Sequence, residues 1–149
     1  MYYSDVRLDL TRYSFLTLVH YLKNNLPTDV ENPLDYAKTY RDRDINYHVC
    51  WDDVRWDNWS HPELDVFDQA LEYLQDKGCS FSFARKGEEL DDYEHYDCQN
   101  EENPLNCEPE LICRFNDYFI KNSVEINFNS SPNKNTNNEP NMDIWKKET

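Results

Sequence analysis

An α+β fold is predicted: a mainly antiparallel sheet of four to five strands with two main helices on one face. Three observations point to it. Several short runs alternate apolar and polar residues, as half-buried strands do, and two longer runs space their apolar residues as amphipathic helices do. The order is strand, helix, short helix, strand, helix, then strands in succession, which is the pattern of helices gathered against an antiparallel sheet.

Val6, Leu8 and Leu10 alternate with Asp5, Arg7 and Asp9, predicting a first strand with one buried face. Thr11 can cap the helix that follows. Its inner face is Phe15, Leu18, Val19 and Leu22, and Asn24-Asn25 ends it. Asn32-Pro33 is a good cap and first-turn pair for a short helix running to about Tyr40. Ile45, Tyr47, Val49 and Trp51 alternate with Asn46, His48 and Cys50, predicting a second strand that can run on through Val54 to Trp56. Ser60-His61-Pro62-Glu63 reads as a capping box, with Glu63 reaching back to the cap. Leu64, Phe67, Leu71 and Leu74 form the inner face of the helix it starts, and Gly78 stops it. Phe81 and Phe83 mark a third strand ending near Arg85-Lys86-Gly87. Leu111, Cys113 and Phe115 suggest a fourth strand, and Val124, Ile126 and Phe128 a fifth. Residues 1–129 are thus expected to form one domain. Residues 130–149, rich in Asn, Ser and Pro without periodicity, are expected to be a disordered tail.

The chain has 149 residues, enough for a substantial core. Its hydrophobic share of 38% is low, but 15% of residues are aromatic, and aromatic rings bury large areas. With only Gly78 and Gly87, a glycine-rich phosphate loop is excluded, and no nucleotide cofactor held in that way is expected. No apolar run is long enough to span a membrane, and the N-terminus lacks the pattern of a signal peptide. The five cysteines, an odd number, fit poorly with a full disulfide framework. A cytoplasmic protein with reduced thiols is expected.

Charge is the most informative property. Of a net charge of -15, residues 52–110 carry -14, from 18 Asp or Glu against four Lys or Arg. Glu88 to Glu110 holds ten carboxylates and no Lys or Arg. Such density destabilises the compact state by self-repulsion, so a role in recognition is expected. Direct binding to nucleic acid or to an anionic membrane is not, because both require a basic footprint. A basic partner protein is the expected counterpart. Carboxylates in fixed positions can occupy a Lys/Arg groove as a nucleic-acid mimic and steer association from a distance. The expected contact residues are Asp52, Asp53, Asp57, Glu88, Glu89, Asp91, Asp92, Glu94 and Asp97, with Trp59, Tyr93 and Tyr96 as aromatic anchors. Of the three tryptophans in residues 51–59, Trp51 is expected to be buried and Trp59 exposed. The acidic surface could be flat, grooved or paired across a homodimer.

Catalysis has little support. Neither H-E-x-x-H nor G-x-S-x-G occurs, and His20, His48 and His61 read as packing, surface or local-turn residues. A zinc set of His95, Cys98, Cys107 and Cys113 is the alternative chemistry, although its spacing departs from structural zinc signatures.

Two segments carry a resemblance. Trp51-Asp52-Asp53-Val54-Arg55-Trp56 runs into the amphipathic helix, and Phe81-Ser82-Phe83-Ala84-Arg85-Lys86-Gly87-Glu88-Glu89-Leu90-Asp91-Asp92-Tyr93-Glu94 follows it. Together they resemble small acidic accessory proteins of tailed bacteriophages, over residues 45–97. The motif carries no catalytic residues. The resemblance implies an inhibitor of a host defence system or nucleic-acid enzyme, such as a restriction or CRISPR nuclease, acting in the host cytoplasm. An immunity protein against a nuclease toxin would be physically the same device. A virion structural protein, with the acidic surface serving only solubility, is a further alternative.

Overall fold

The structure, a computed structural model, describes residues 2–57, 59, 61–105 and 123–126. Six strands and two helices lie within them: β1 (Ser4–Thr11), α1 (Arg12–Asn25), β2 (Lys38–Asp42), β3 (Asn46–Val54), α2 (Glu63–Asp76), β4 (Phe81–Gly87), β5 (Tyr93–Cys98) and β6 (Ser123–Ile126). All strand pairs are antiparallel, in the order β5-β4-β1-β3-β2-β6. The α+β architecture predicted above is therefore present.

The core forms where the apolar faces of β1, β3 and β4 meet both helices. Val6, Leu8 and Leu10 stand in register with Trp51, Val49 and Tyr47 on one side. On the other, Leu8 and Leu10 face Phe83 and Phe81. Phe15, Leu18 and Leu22 of α1, and Leu64, Phe67, Leu71 and Leu74 of α2, pack against them. Phe15 stacks on Tyr47 with centroids 4.4 Å apart, and Tyr21 of α1 meets Tyr73 of α2 at 4.9 Å. Thr11 caps α1 as expected, its hydroxyl accepting from the Ser14 amide at 3.2 Å.

Several local expectations are corrected. Asn32 does cap a helical turn through the Leu34 amide, but that turn is a 3-10 helix, Pro33–Tyr36. The chain then enters β2, where Thr39 and Tyr40 are buried between β3 and β6. β-Branched and aromatic residues fit a pleated surface better than a continued helix. Ile45 is not part of the inward stripe of β3. It sits in the β2–β3 turn with φ 61°, a turn organised by Asp42, whose Oδ1 accepts from the amides of Asp44 and Asn46. β3 stops at Val54, so Trp56 lies beyond it, although its ring still packs on Trp51.

The expected capping box cannot be followed to its first residue. α2 is preceded by Pro62 without a side-chain cap, and Ser60 lies outside the described residues. Glu63 instead accepts from the Tyr36 hydroxyl at 2.8 Å and lies 3.3 Å from His61 Nδ1. A buried carboxylate needs such a donor. β5 was not among the predicted strands, because its sequence is polar on both faces and gives no alternation. The strand expected around Leu111–Phe115, Phe128, and the tail from Ser130 lie outside the described residues. Val124 and Ile126 do fall in a strand, β6.

Gly78 ends α2 with φ +70°, a conformation costly for any residue with a Cβ. A Cβ there would also come within 2.7 Å of Asn100 Nδ2, which donates to the Gly78 carbonyl. Gly78→Ala should therefore cost about 1–2 kcal/mol, read as a lower midpoint in urea unfolding.

Candidate functional site

The two acidic segments that the sequence singles out are separated by about thirty residues of chain, yet strand register brings them together. Ser4 of β1 pairs with Val54 of β3 on one side and with Gly87 of β4 on the other. The segment leaving β3 and the β4–β5 turn therefore emerge at the same end of the sheet, two strand spacings or about 10 Å apart.

Backbone bonds hold both. The Asp53 amide donates to Asp5 Oδ1 at 2.9 Å, and Asp53 itself has φ 56°. The Tyr3 amide donates to Glu88 Oε2 at 2.7 Å, and the Glu89 amide donates to the Tyr2 hydroxyl at 3.1 Å. The turn closes through Asp92 N to Glu89 O and Gly87 N to Asp92 O. Lys86 Nζ adds a bond to the Glu89 carbonyl at 2.7 Å.

Arg85 is the clamp of the hairpin. Its guanidinium donates to both Asp92 oxygens at 2.6 and 3.2 Å, to Glu94 Oε2, and to Ser4 Oγ at 2.9 Å. Hydrogen bonds from Arg85 and then Tyr2 hold the Asp92 carboxyl below the usual carboxylate range. Asp92 and Glu94, both expected to face a partner, are thus tied up in the hairpin, and Arg85 offsets part of their charge. Asp52 likewise pairs with Arg7 at 2.8 Å, and Asp57 with Arg55 at 3.7 Å. Asp53, Glu89 and Asp91 remain exposed carboxylates at this end; Glu88 is exposed too, with its Oε2 accepting from the Tyr3 amide.

The same two segments also expose two apolar side chains. Trp59 is 94% exposed, whereas Trp51 is fully buried, as the sequence reading expected. Leu90, at the hairpin tip, is 93% exposed and was missed. The signal was available: one Leu in the run Glu88-Glu89-Leu90-Asp91-Asp92, with no periodic partner to bury it.

The remaining expected contacts lie elsewhere. Tyr93 and Asp97 are on β5, opposite Lys86 and Ser82, on the sheet face away from the helices. Tyr96 is on the helix side, packed on Phe83 with centroids 5.1 Å apart and only partly exposed. Burial, and then Asp68, Glu94 and Glu72, push its hydroxyl pKa up. The expected site therefore divides into a sheet-end cluster and a β5 surface running away from it.

The zinc set is not assembled by the described residues. His95 and Cys98 are three positions apart on one strand and so point to opposite faces. His95 Nε2 lies 3.3 Å from Ser82 Oγ, while Cys98 packs at the core side. Cys107 and Cys113 lie outside the described residues. Among the described residues, no group of three His, Cys, Asp or Glu is placed to hold a metal ion. Cys50, Cys79 and Cys98 are free thiols, and burial pushes Cys50 up to about 12, which leaves it unreactive.

One polar cluster escaped the sequence reading. The alternating polar face of β1 was expected to meet solvent, but Arg7 and Asp9 are buried. His48 of β3, 1% exposed, stands opposite Asp9 and lies between two carboxylates. Its Nδ1 is 2.8 Å from Asp9 Oδ1 and its Nε2 is 2.8 Å from Asp42 Oδ2. Both ring nitrogens can donate at once only in the imidazolium. Burial opposes that charge, but the bonds to Asp42 and Asp9 outweigh it and raise the pKa to about 9. Asp9, His48 and Asp42 thereby cross-link β1, β3 and β2. A residue this inaccessible supports the sheet and is not placed to meet a substrate.

Comparison of the chain with protein-family models, with curated proteins and with solved structures found no match. No helix among the described residues is long and apolar enough to cross a membrane.

Proposed function

We propose that this chain is a non-catalytic acidic binding protein that occupies the basic nucleic-acid-binding surface of another protein, mimicking the charge of nucleic acid. The observation that carries this reading is the sheet-end cluster. Asp53, Glu88, Glu89 and Asp91 are exposed on segments anchored to β1 and its N-terminal flank by amide-to-side-chain hydrogen bonds, and the same two segments expose Trp59 and Leu90. Charges held in fixed positions lose less entropy on binding than a flexible acidic tail. The two apolar side chains offer the buried anchors in which binding energy concentrates. The resemblance to phage accessory proteins favours a host target, a defence nuclease among them, met in the host cytoplasm.

The test is competition. A basic nuclease recovered from host lysate at low salt and then purified should bind the chain and duplex DNA in a mutually exclusive way, and should release the chain as salt rises. The triple variant Asp53→Asn, Glu89→Gln, Asp91→Asn should weaken that complex by about tenfold or more, roughly 1.4 kcal/mol. Its thermal midpoint should not fall, since Asn is well tolerated at the positive φ of position 53. A complex that DNA does not displace, or that the triple variant forms unchanged, would reject this reading.

A further inference from the structure

Among the described residues, strand β5 is an edge of the sheet and pairs with β4 alone, from Phe81↔Cys98 to Lys86↔Tyr93, without a register shift. Gly87 N donates to Asp92 O in the pair that precedes this ladder. Hydrogen-bonded pairs alternate along an antiparallel ladder, so Glu94, Tyr96 and Cys98 spend their backbone groups on β4. Those of Tyr93, His95 and Asp97 point away from it. All residues from Tyr93 to Asp97 are exposed.

Exposed edges normally carry devices against pairing: a lysine, a proline, a bulge or a covering segment. β5 has no Lys and no Pro, its ladder is regular, and among the described residues no strand lies beyond it. What it has is negative charge. Glu94 and Asp97 are on the strand, and Asp65, Asp68 and Glu72 of α2 lie alongside. Burial, and then Asp65, Glu94 and Glu72, raise the Asp68 pKa, the mark of crowded carboxylates. A second copy presenting the same edge would bring these charges against their own kind, which disfavours a homodimer through β5. A lysine-bearing strand would meet opposite charge.

We propose that the β5 edge pairs with an extended basic segment of the partner protein, adding a seventh strand to the six described. The proposal rests on the acidic-partner reading above and says how part of that partner is held. Main-chain bonds to Tyr93, His95 and Asp97 supply the pairing. Lys or Arg at every second position of the segment would fall beside Asp68 and Glu72 and the Tyr96 ring, Glu94 already being held by Arg85.

A synthetic peptide of alternating Lys and Thr, titrated at low salt into nitrogen-15-labelled protein, tests this. The amide signals of Tyr93, His95 and Asp97 should shift most. The His95 N–H points off the ladder, so His95→Pro removes an edge donor without breaking a bond to β4. His95→Pro should weaken peptide binding about tenfold, while His95→Ala binds as the wild type does. The thermal midpoints of both variants show whether the fold is kept, and Asp97→Pro repeats the test at a second outward amide. Asp68→Asn with Glu72→Gln should weaken binding and flatten its salt dependence. If the proline variants stay folded and bind as the wild type does, edge pairing is wrong and the acidic-partner reading survives. If the wild type binds no peptide at low salt, edge pairing is also wrong, and competition with DNA decides the other reading separately.

Discussion

His48→Ala should destabilise the protein by about 3–5 kcal/mol, the cost of breaking a buried ion pair by removing one partner. Asp9 is buried and Asp42 nearly so, and the substitution leaves both carboxylates facing each other across an emptied site. The same cluster sets the pH dependence. His48 has its pKa raised from 6.5 to about 9, so its contribution is complete below 6.5 and is lost as pH rises toward 9. The loss should approach roughly 3 kcal/mol. Asp42 acts in the opposite direction. Burial alone would raise its pKa, but the bonds from His48 and from the Asn46 and Asp44 amides lower it. Its contribution is complete above its ordinary value of 3.8 and fades as pH falls through the lowered one. Urea unfolding of the wild type across this range should give a plateau between these limits and a decline on the alkaline side. His48→Ala should remove most of the alkaline decline. An alkaline decline as steep in the variant as in the wild type would show that His48 is not its source.

Trp51→Ala should be comparably severe, about 3–5 kcal/mol. Trp51 is the largest fully buried side chain among the described residues and meets Trp56 and Phe67 edge-on, with centroids 5.1 and 5.4 Å away. Its indole N–H donates to the Pro33 carbonyl at 2.9 Å, so truncation also leaves a buried acceptor unpaired. This loss is a large fraction of the roughly 5–15 kcal/mol that holds a typical domain together. Trp56 links Trp51 to Phe83, and Trp59 stands three residues further on. Trp51→Ala should therefore also loosen the loop that displays Trp59, read as faster amide exchange through residues 55–59. Trp59→Ala, by contrast, should leave stability within about 0.5 kcal/mol of the wild type, because that ring touches solvent.

Elements whose burial was one-sided were legible. β1, α1, α2 and β4 each carry apolar residues at a period that only one secondary structure satisfies, and the structure has all four. β2 and β5 were not legible, for different reasons. β2 is five residues with charge at both ends, and its neighbours supply the burial that its own pattern does not announce. β5 is exposed on both faces, so its strand character comes from the ladder with β4 and not from alternation. The candidate site was legible in composition but not in arrangement. In the sequence Asp92 and Glu94 read as free carboxylates, but Arg85 bonds both, and the exposure of Leu90 follows from its place at the hairpin tip.

By itself the sequence determined the fold class, the inner faces of the main helices and strands, and the concentration of negative charge in residues 52–110. These depend on local period and composition, which need no knowledge of neighbours. The tertiary structure alone decided which carboxylates are spent internally. It also decided which segments share one end of the sheet, and that His48 is buried as a cation between two strands. Those outcomes follow from strand register, which brings together residues far apart in the chain, and from desolvation, which makes each buried charge find a partner.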